Sequence, residues 1–167
     1  MNFKLKELTD VILGRKTNGN VKGHLYSVLI EGDEETLLEQ FFDKMDESYD
    51  EDAKQIVVRL KTMITKTGFA DYYFKKNEGN FGDHVVAFKQ NDLRIYCIYI
   101  DHTAIIVGSG GVKKVRAYQD DPELNSEAEK VKQLAKIINQ AMMEHDLTID
   151  DNGVICDNSE EHDYLGN

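Results

Sequence analysis

Arg94, Lys113, Lys114, Arg116 and Tyr118 bring four cations and a phenol into one stretch of the chain, a set of side chains suited to cutting an RNA backbone. Attack by a ribose 2′-hydroxyl on the adjacent phosphorus needs a base to take the hydroxyl proton. It also needs positive charge to stabilise the pentacoordinate phosphorane, and an acid to protonate the leaving oxygen. Lysine and arginine serve all three roles. Arginine offers paired donors to phosphate, and clustered cations depress a neighbouring lysine's pKa towards the range of a useful base. Tyrosine stacks on an exposed base. Each residue also has a plainer use: Arg94 pairing with Asp83 or Asp92 on a surface, Lys113 and Lys114 guarding a strand end, Tyr118 packing.

Whether these groups meet depends on the strands that carry them. In LRIYCIYI, Leu93, Ile95, Cys97 and Tyr99 point one way, and Arg94, Tyr96, Ile98 and Ile100 the other. Strand-like runs at His84–Lys89, Leu93–Ile100 and Thr103–Val107 are joined by the short turns Gln90-Asn91-Asp92 and Asp101-His102, which predicts an antiparallel meander. Gly108–Gly111 (GSGG) then ends the last strand. An open face carrying Arg94 and Tyr96 would gather Arg94 with Lys113, Lys114, Arg116 and Tyr118.

Upstream, HLYSVLI at His24–Ile30 predicts a first strand. Asp33 caps a helix bearing Leu37, Leu38, Phe41, Phe42 and Met45; Ser48-x-x-Glu51 reads as a capping box for a second helix, stopped by Gly68, and the two form an antiparallel hairpin. Downstream, Asp121 with Pro122 opens a long helix striped by Leu124, Ala128, Val131, Leu134, Ala135, Ile138, Ala141 and Met142. Leu147–Ile149 and Val154–Cys156 suggest a terminal hairpin around Asn152-Gly153, followed by a disordered polar tail from Asp157. The fold class is α+β, with helices on one sheet face: an N-terminal strand, a helical hairpin, an antiparallel β-meander and a long C-terminal helix. The domain reading is an N-terminal extension at 1–22, the α+β domain at 23–146, and a C-terminal hairpin and acidic tail at 147–167.

A chain of 167 residues, 41% of them apolar, suffices for one core and is short for two domains. Its net charge of −11 and pI near 4.9 exclude a protein coated in basic charge for non-specific nucleic-acid binding, and no DNA binding is expected of the chain alone. The charge is uneven. Glu31–Asp52 holds eleven acids against one base, Lys44, and Gln119–Asn167 thirteen acids against three bases, while the segments between are net positive. Two cysteines, Cys97 and Cys156, make no disulfide scaffold, which fits a reduced cytoplasm. The five histidines lack metal-ligand spacing, GSGGVKK lacks the P-loop spacing, and no cofactor or metal is expected. No apolar run approaches the roughly 20 residues of a membrane span, and no signal peptide opens the chain.

The run LRIYCIYIDHTAIIVGSGGVKKVRAYQDD resembles the closing half of a bacterial RelE/ParE-superfamily toxin, in which a strand arginine is followed by a hairpin, an apolar strand, a basic segment and a tyrosine. The element order from residue 24 to 145 is similar as well. The resemblance implies a RelE-like fold and the toxin of a type II toxin–antitoxin pair. Such a toxin is a metal-independent endoribonuclease that cuts mRNA, often on the ribosome, to inhibit translation, and it is neutralised by a cognate antitoxin. Carried over by position, it implies catalytic roles for Arg94 (transition-state charge), Lys114 and Arg116 (phosphate ligand or acid) and Tyr118 (base stacking). Lys75, Lys76, Lys89, Tyr96 and Lys113 would bind substrate. The alternative is a non-catalytic protein of the same fold that docks on a protein partner such as a topoisomerase, with the acidic segments as its contact surface.

Overall fold

The structure is a computed structural model and describes residues 2–76, 83–114, 121–150 and 153–156. The strand expected from HLYSVLI is β2 (His24–Ile30), preceded by β1 (Phe3–Glu7) and the short helix α1 (Thr9–Leu13). Two helices follow, α2 (Leu37–Asp43) and α3 (Asp50–Thr62), the latter ending in a wider π turn, Met63–Thr67, before Gly68. Then come the two-residue β3 (Phe74–Lys75), the meander β4 (Val85–Gln90), β5 (Leu93–Asp101) and β6 (Ala104–Val112), and the helix α4 (Pro122–Met143). A separate hairpin, β7 (Leu147–Asp150) and β8 (Gly153–Cys156), ends the described chain.

The fold is α+β around a six-stranded sheet of order β1-β2-β6-β5-β4-β3. All pairings are antiparallel except that of β2 with β6. The residues read as an N-terminal extension belong to this sheet: β1 pairs along β2, and the Phe3 ring is fully buried.

Helices cover both faces of the sheet rather than one. The α4 stripe lies against Tyr26, Val28, Val85, Ala87, Tyr96, Ile98 and Ile106. On the other face Leu38 and Phe41 of α2, Ile56 and Leu60 of α3, and Met63 and Ile64 pack on Leu25, Phe88, Leu93, Ile95, Cys97, Ile105 and Val107. Burying one such aliphatic side chain is worth about 1.5–3 kcal/mol, so each layer is held by a full set of contacts. The helices α2 and α3 dock chiefly on the sheet and on α1 rather than forming a tight hairpin with each other. Cys97 is sealed in this core, and burial pushes its thiol up to about 12, leaving no reactive thiolate.

Local signals decided several boundaries differently from expectation. Thr36, not Asp33, caps α2: its side chain accepts from Glu39 N while the Glu39 carboxylate reaches back, a complete capping box. Thr36→Ala is therefore expected to cost about 1 kcal/mol, read as a lowered urea midpoint with unchanged slope. Ser48-x-x-Glu51 does not box α3. Asp46 instead accepts from Ser48 N at 2.9 Å and caps a single 3₁₀ turn, Glu47–Tyr49, from which α3 departs. Asp121 and Pro122 open α4 as expected, with Leu124 N donating to Asp121 Oδ1 at 3.2 Å.

The largest correction concerns GSGG, which lies inside β6 instead of terminating it. The register shifts between Ile95 and Cys97, so the β6 backbone bulges where it crosses Tyr96. A Cβ on Gly108 would stand 2.7 Å from Val131 of α4, and one on Gly110 would stand 1.9 Å from the Arg94 carbonyl oxygen. The glycines are there because neighbouring backbone and helix come too close for a side chain.

Candidate functional site

Arg94 and Tyr96 share a face, as their alternation predicts, but it is the face closed by α4. Arg94 is 4% exposed and Tyr96 fully buried. The Arg94 guanidinium turns back on its own turn, with Nη1 donating to Asn91 O at 2.6 Å and to Leu93 O at 3.0 Å. It thereby ties down the β4–β5 connection, where Asn91 adopts a left-handed φ of +50°. The open sheet face that would have exposed Arg94 and Tyr96 to RNA is absent, because the α4 stripe must bury its own apolar side chains there. Arg94→Ala should cost about 2 kcal/mol by stranding two carbonyls, visible as a loss of thermal stability.

The other expected residues are spread along one end of the sheet. Lys89 is exposed on β4 opposite Arg94, and Lys75 is exposed on β3. Lys76 is ion-paired with Asp71 at 3.3 Å. Lys113 N donates to Asp92 O at 2.7 Å, which anchors the end of β6. Lys114 is exposed; its amide donates to Asp121 Oδ2 at 3.1 Å and its Nζ lies 3.7 Å from Glu123 Oε2. The two backbone donors, Lys114 and Leu124, hold the Asp121 carboxylate below its ordinary pKa. Arg116 and Tyr118 lie outside the described residues, as do the Gly79–Gly82 turn, the Asn152 turn and the tail from Asp157.

What the structure brings together is a cleft of about 230 Å³ lined by Lys44, Met45, Asp46, Tyr49, Gly111, Val112, Lys114 and Glu123. Its walls follow from the elements. The C-terminal end of α2 delivers Lys44, the 3₁₀ turn delivers Tyr49, the end of β6 supplies backbone at Gly111, and the first turn of α4 supplies Glu123. Lys44 is held in place: its Nζ donates to Gly110 O and lies 4.0 Å from Glu127 Oε1. Glu127 in turn accepts from Ser109 and lies 3.3 Å from Lys130. Bonds from Ser48 lower the Asp46 carboxylate, so it stays ionised.

Chemically, two ammonium groups at one opening can grip a phosphate, Glu123 can take up or return a proton, and the Tyr49 ring offers an apolar wall. Lys44, Tyr49 and Glu123 were missed in the sequence reading. The signal for Lys44 was present, since it is the single base among eleven acids between Glu31 and Asp52.

A second polar contact, His24 Nδ1 to Glu7 Oε2 at 2.9 Å, links β2 to β1. Among the described residues no three metal-ligating side chains converge, and no helix is long and apolar enough to cross a membrane. No family model matches the chain, and neither a curated protein nor a solved structure matches it.

Proposed function

We propose that this chain is the toxin of a type II toxin–antitoxin pair, an endoribonuclease of RelE-like type that inhibits translation in the bacterial cytoplasm. The observation that carries the reading is the Lys44–Lys114 cleft, which opens where β6 ends at Val112 and Lys113 and Lys114 follow. The order of elements from β2 to α4 supports it as well. In this reading Lys44 and Lys114 stabilise the phosphorane, Lys75, Lys89 and Lys113 hold the strand, and Arg116 and Tyr118 keep the roles that the resemblance implies. Arg94 and Tyr96 become supports of the site. The 2′-oxygen forms a bond to phosphorus as its proton passes to a base, and the 5′-oxygen leaves with a proton from an acid, giving a cyclic phosphate end. Induction in a bacterial host should arrest translation, and the purified protein should cut mRNA, with or without ribosomes, in the presence of a chelator. Intact mRNA with unaffected growth would overturn the reading.

One observation favours the alternative, a non-catalytic protein that docks on a protein partner. The acids of Glu31–Asp52 make no ion pair among the described residues, and Glu35 is raised above its usual pKa by its bond to Asp43 and the nearby Glu39 and Glu34 carboxylates. A surface whose charges repel one another suits a basic partner. Arrest without RNA cleavage, abolished by neutralising these acids, would select the docking protein.

A further inference from the structure

Arg59, Tyr72 and Tyr73 form a cluster that the cleft chemistry leaves unused. The Tyr72 side chain is 75% exposed, yet its ring is braced. Its centroid lies 4.6 Å from that of Tyr73 at a 41° tilt. Tyr73 Oη is 3.1 Å from Thr67 Oγ1, and its ring meets Phe74 edge-on, which in turn packs on the buried Phe88. The Arg59 guanidinium lies 4.2 Å over the Phe88 ring and donates to Lys89 O at 2.6 Å and Gln90 Oε1 at 3.1 Å. Residues 53–69 hold four bases and no acid, Lys61 and Lys66 among them are exposed, and an exposed Lys75 follows on β3.

An exposed aromatic ring on a basic stretch of chain is an arrangement by which proteins take single-stranded nucleic acid. Every base has a π-face to stack, and the cations follow the backbone. The register aligns Gly111, Arg94 and Lys89 in one row across β6, β5 and β4. Two strand spacings, roughly 10 Å, therefore separate the cleft from the backbone that Arg59 grips.

We propose that Tyr72, braced on Tyr73, stacks a base of single-stranded RNA at a subsite that leads the strand towards the Lys44–Lys114 cleft. This rests on the RNA reading above. The test is fluorescence anisotropy of an end-labelled oligouridine of about ten nucleotides titrated with the full chain at fixed salt. Tyr72→Ala should weaken binding about five- to a hundredfold while Tyr72→Phe, which keeps the ring, stays within about twofold of wild type. Tyr72 is exposed, so circular dichroism should show Tyr72→Ala folded. Wild-type binding that is unmoved by Tyr72→Ala, or lost equally in Tyr72→Phe, overturns the stacking subsite and leaves the nuclease reading standing. Absence of binding in a protein that still cuts mRNA does the same. Absence of both binding and cutting overturns the two together.

Discussion

Gly110→Ala is expected to lose more than about 3 kcal/mol of stability, and with it most of the soluble protein on expression. The added methyl would stand 1.9 Å from the Arg94 carbonyl oxygen and 2.8 Å from Ile95 Cα, and both are backbone of the neighbouring strand. A flexible side chain could swing aside; a strand hydrogen-bonded on both edges cannot. β6 lies between β2 and β5, and α4 presses on its bulge through Val131, so relief would require moving three elements together. For a domain of ordinary stability this is a large fraction of the total. Gly111→Ala provides the control one residue away. Its nearest neighbours would be a Leu124 methyl at 3.6 Å and the Lys44 ammonium at 3.9 Å, ordinary contacts, so its urea midpoint should stay near wild type or rise slightly. Equal midpoints for the two variants would refute the close approach.

The elements that positioned themselves by period were legible in the sequence. The alternation of LRIYCIYI, the stripe of α4 and the Asp121-Pro122 opening are local patterns, and the structure repeats them. What was not legible depended on distant partners. Phe3 and Leu5 begin an edge strand only because β2 offers an unpaired side, and a five-residue run carries too little pattern to announce it. GSGG reads as a turn by composition, and only the approach of Arg94 O and Val131 turns those glycines into a requirement of a strand interior. The same limit applied to the site. Periodicity put Arg94 and Tyr96 on one face, but which face a 22-residue amphipathic helix would choose was a tertiary question, and it chose theirs. Lys44 was visible as a charge out of place among acids, whereas its meeting with Lys114 arises because α2 ends beside the last residues of β6.

Lys44→Ala and Lys114→Ala should each slow RNA cleavage about a hundredfold; thermal stability should be nearly unchanged in Lys114→Ala and lowered by about 1 kcal/mol in Lys44→Ala, which leaves Gly110 O without its donor. The asymmetry follows from where these ammonium groups sit. Both side chains reach solvent, and their carboxylate partners, Glu127 at 4.0 Å and Glu123 at 3.7 Å, are distant enough that each pair adds at most about 1 kcal/mol to folding. Against a phosphorane the same charges act on an extra negative charge that exists only at the transition state, so their removal is felt far more in rate than in fold. Lys44 should matter more for rate than for binding, since its bond to Gly110 O fixes it before substrate arrives. The exposed Lys114 should affect binding as well. The two act on one phosphate, so the double variant should fall short of the product of the single effects. Lys6→Ala on β1, an edge strand that does not line the cleft, serves as the charge control and should cut RNA as wild type does. A hundredfold loss in that variant too would mean that net charge, not the cleft, drives cleavage; full activity in Lys44→Ala would remove the cleft from the chemistry.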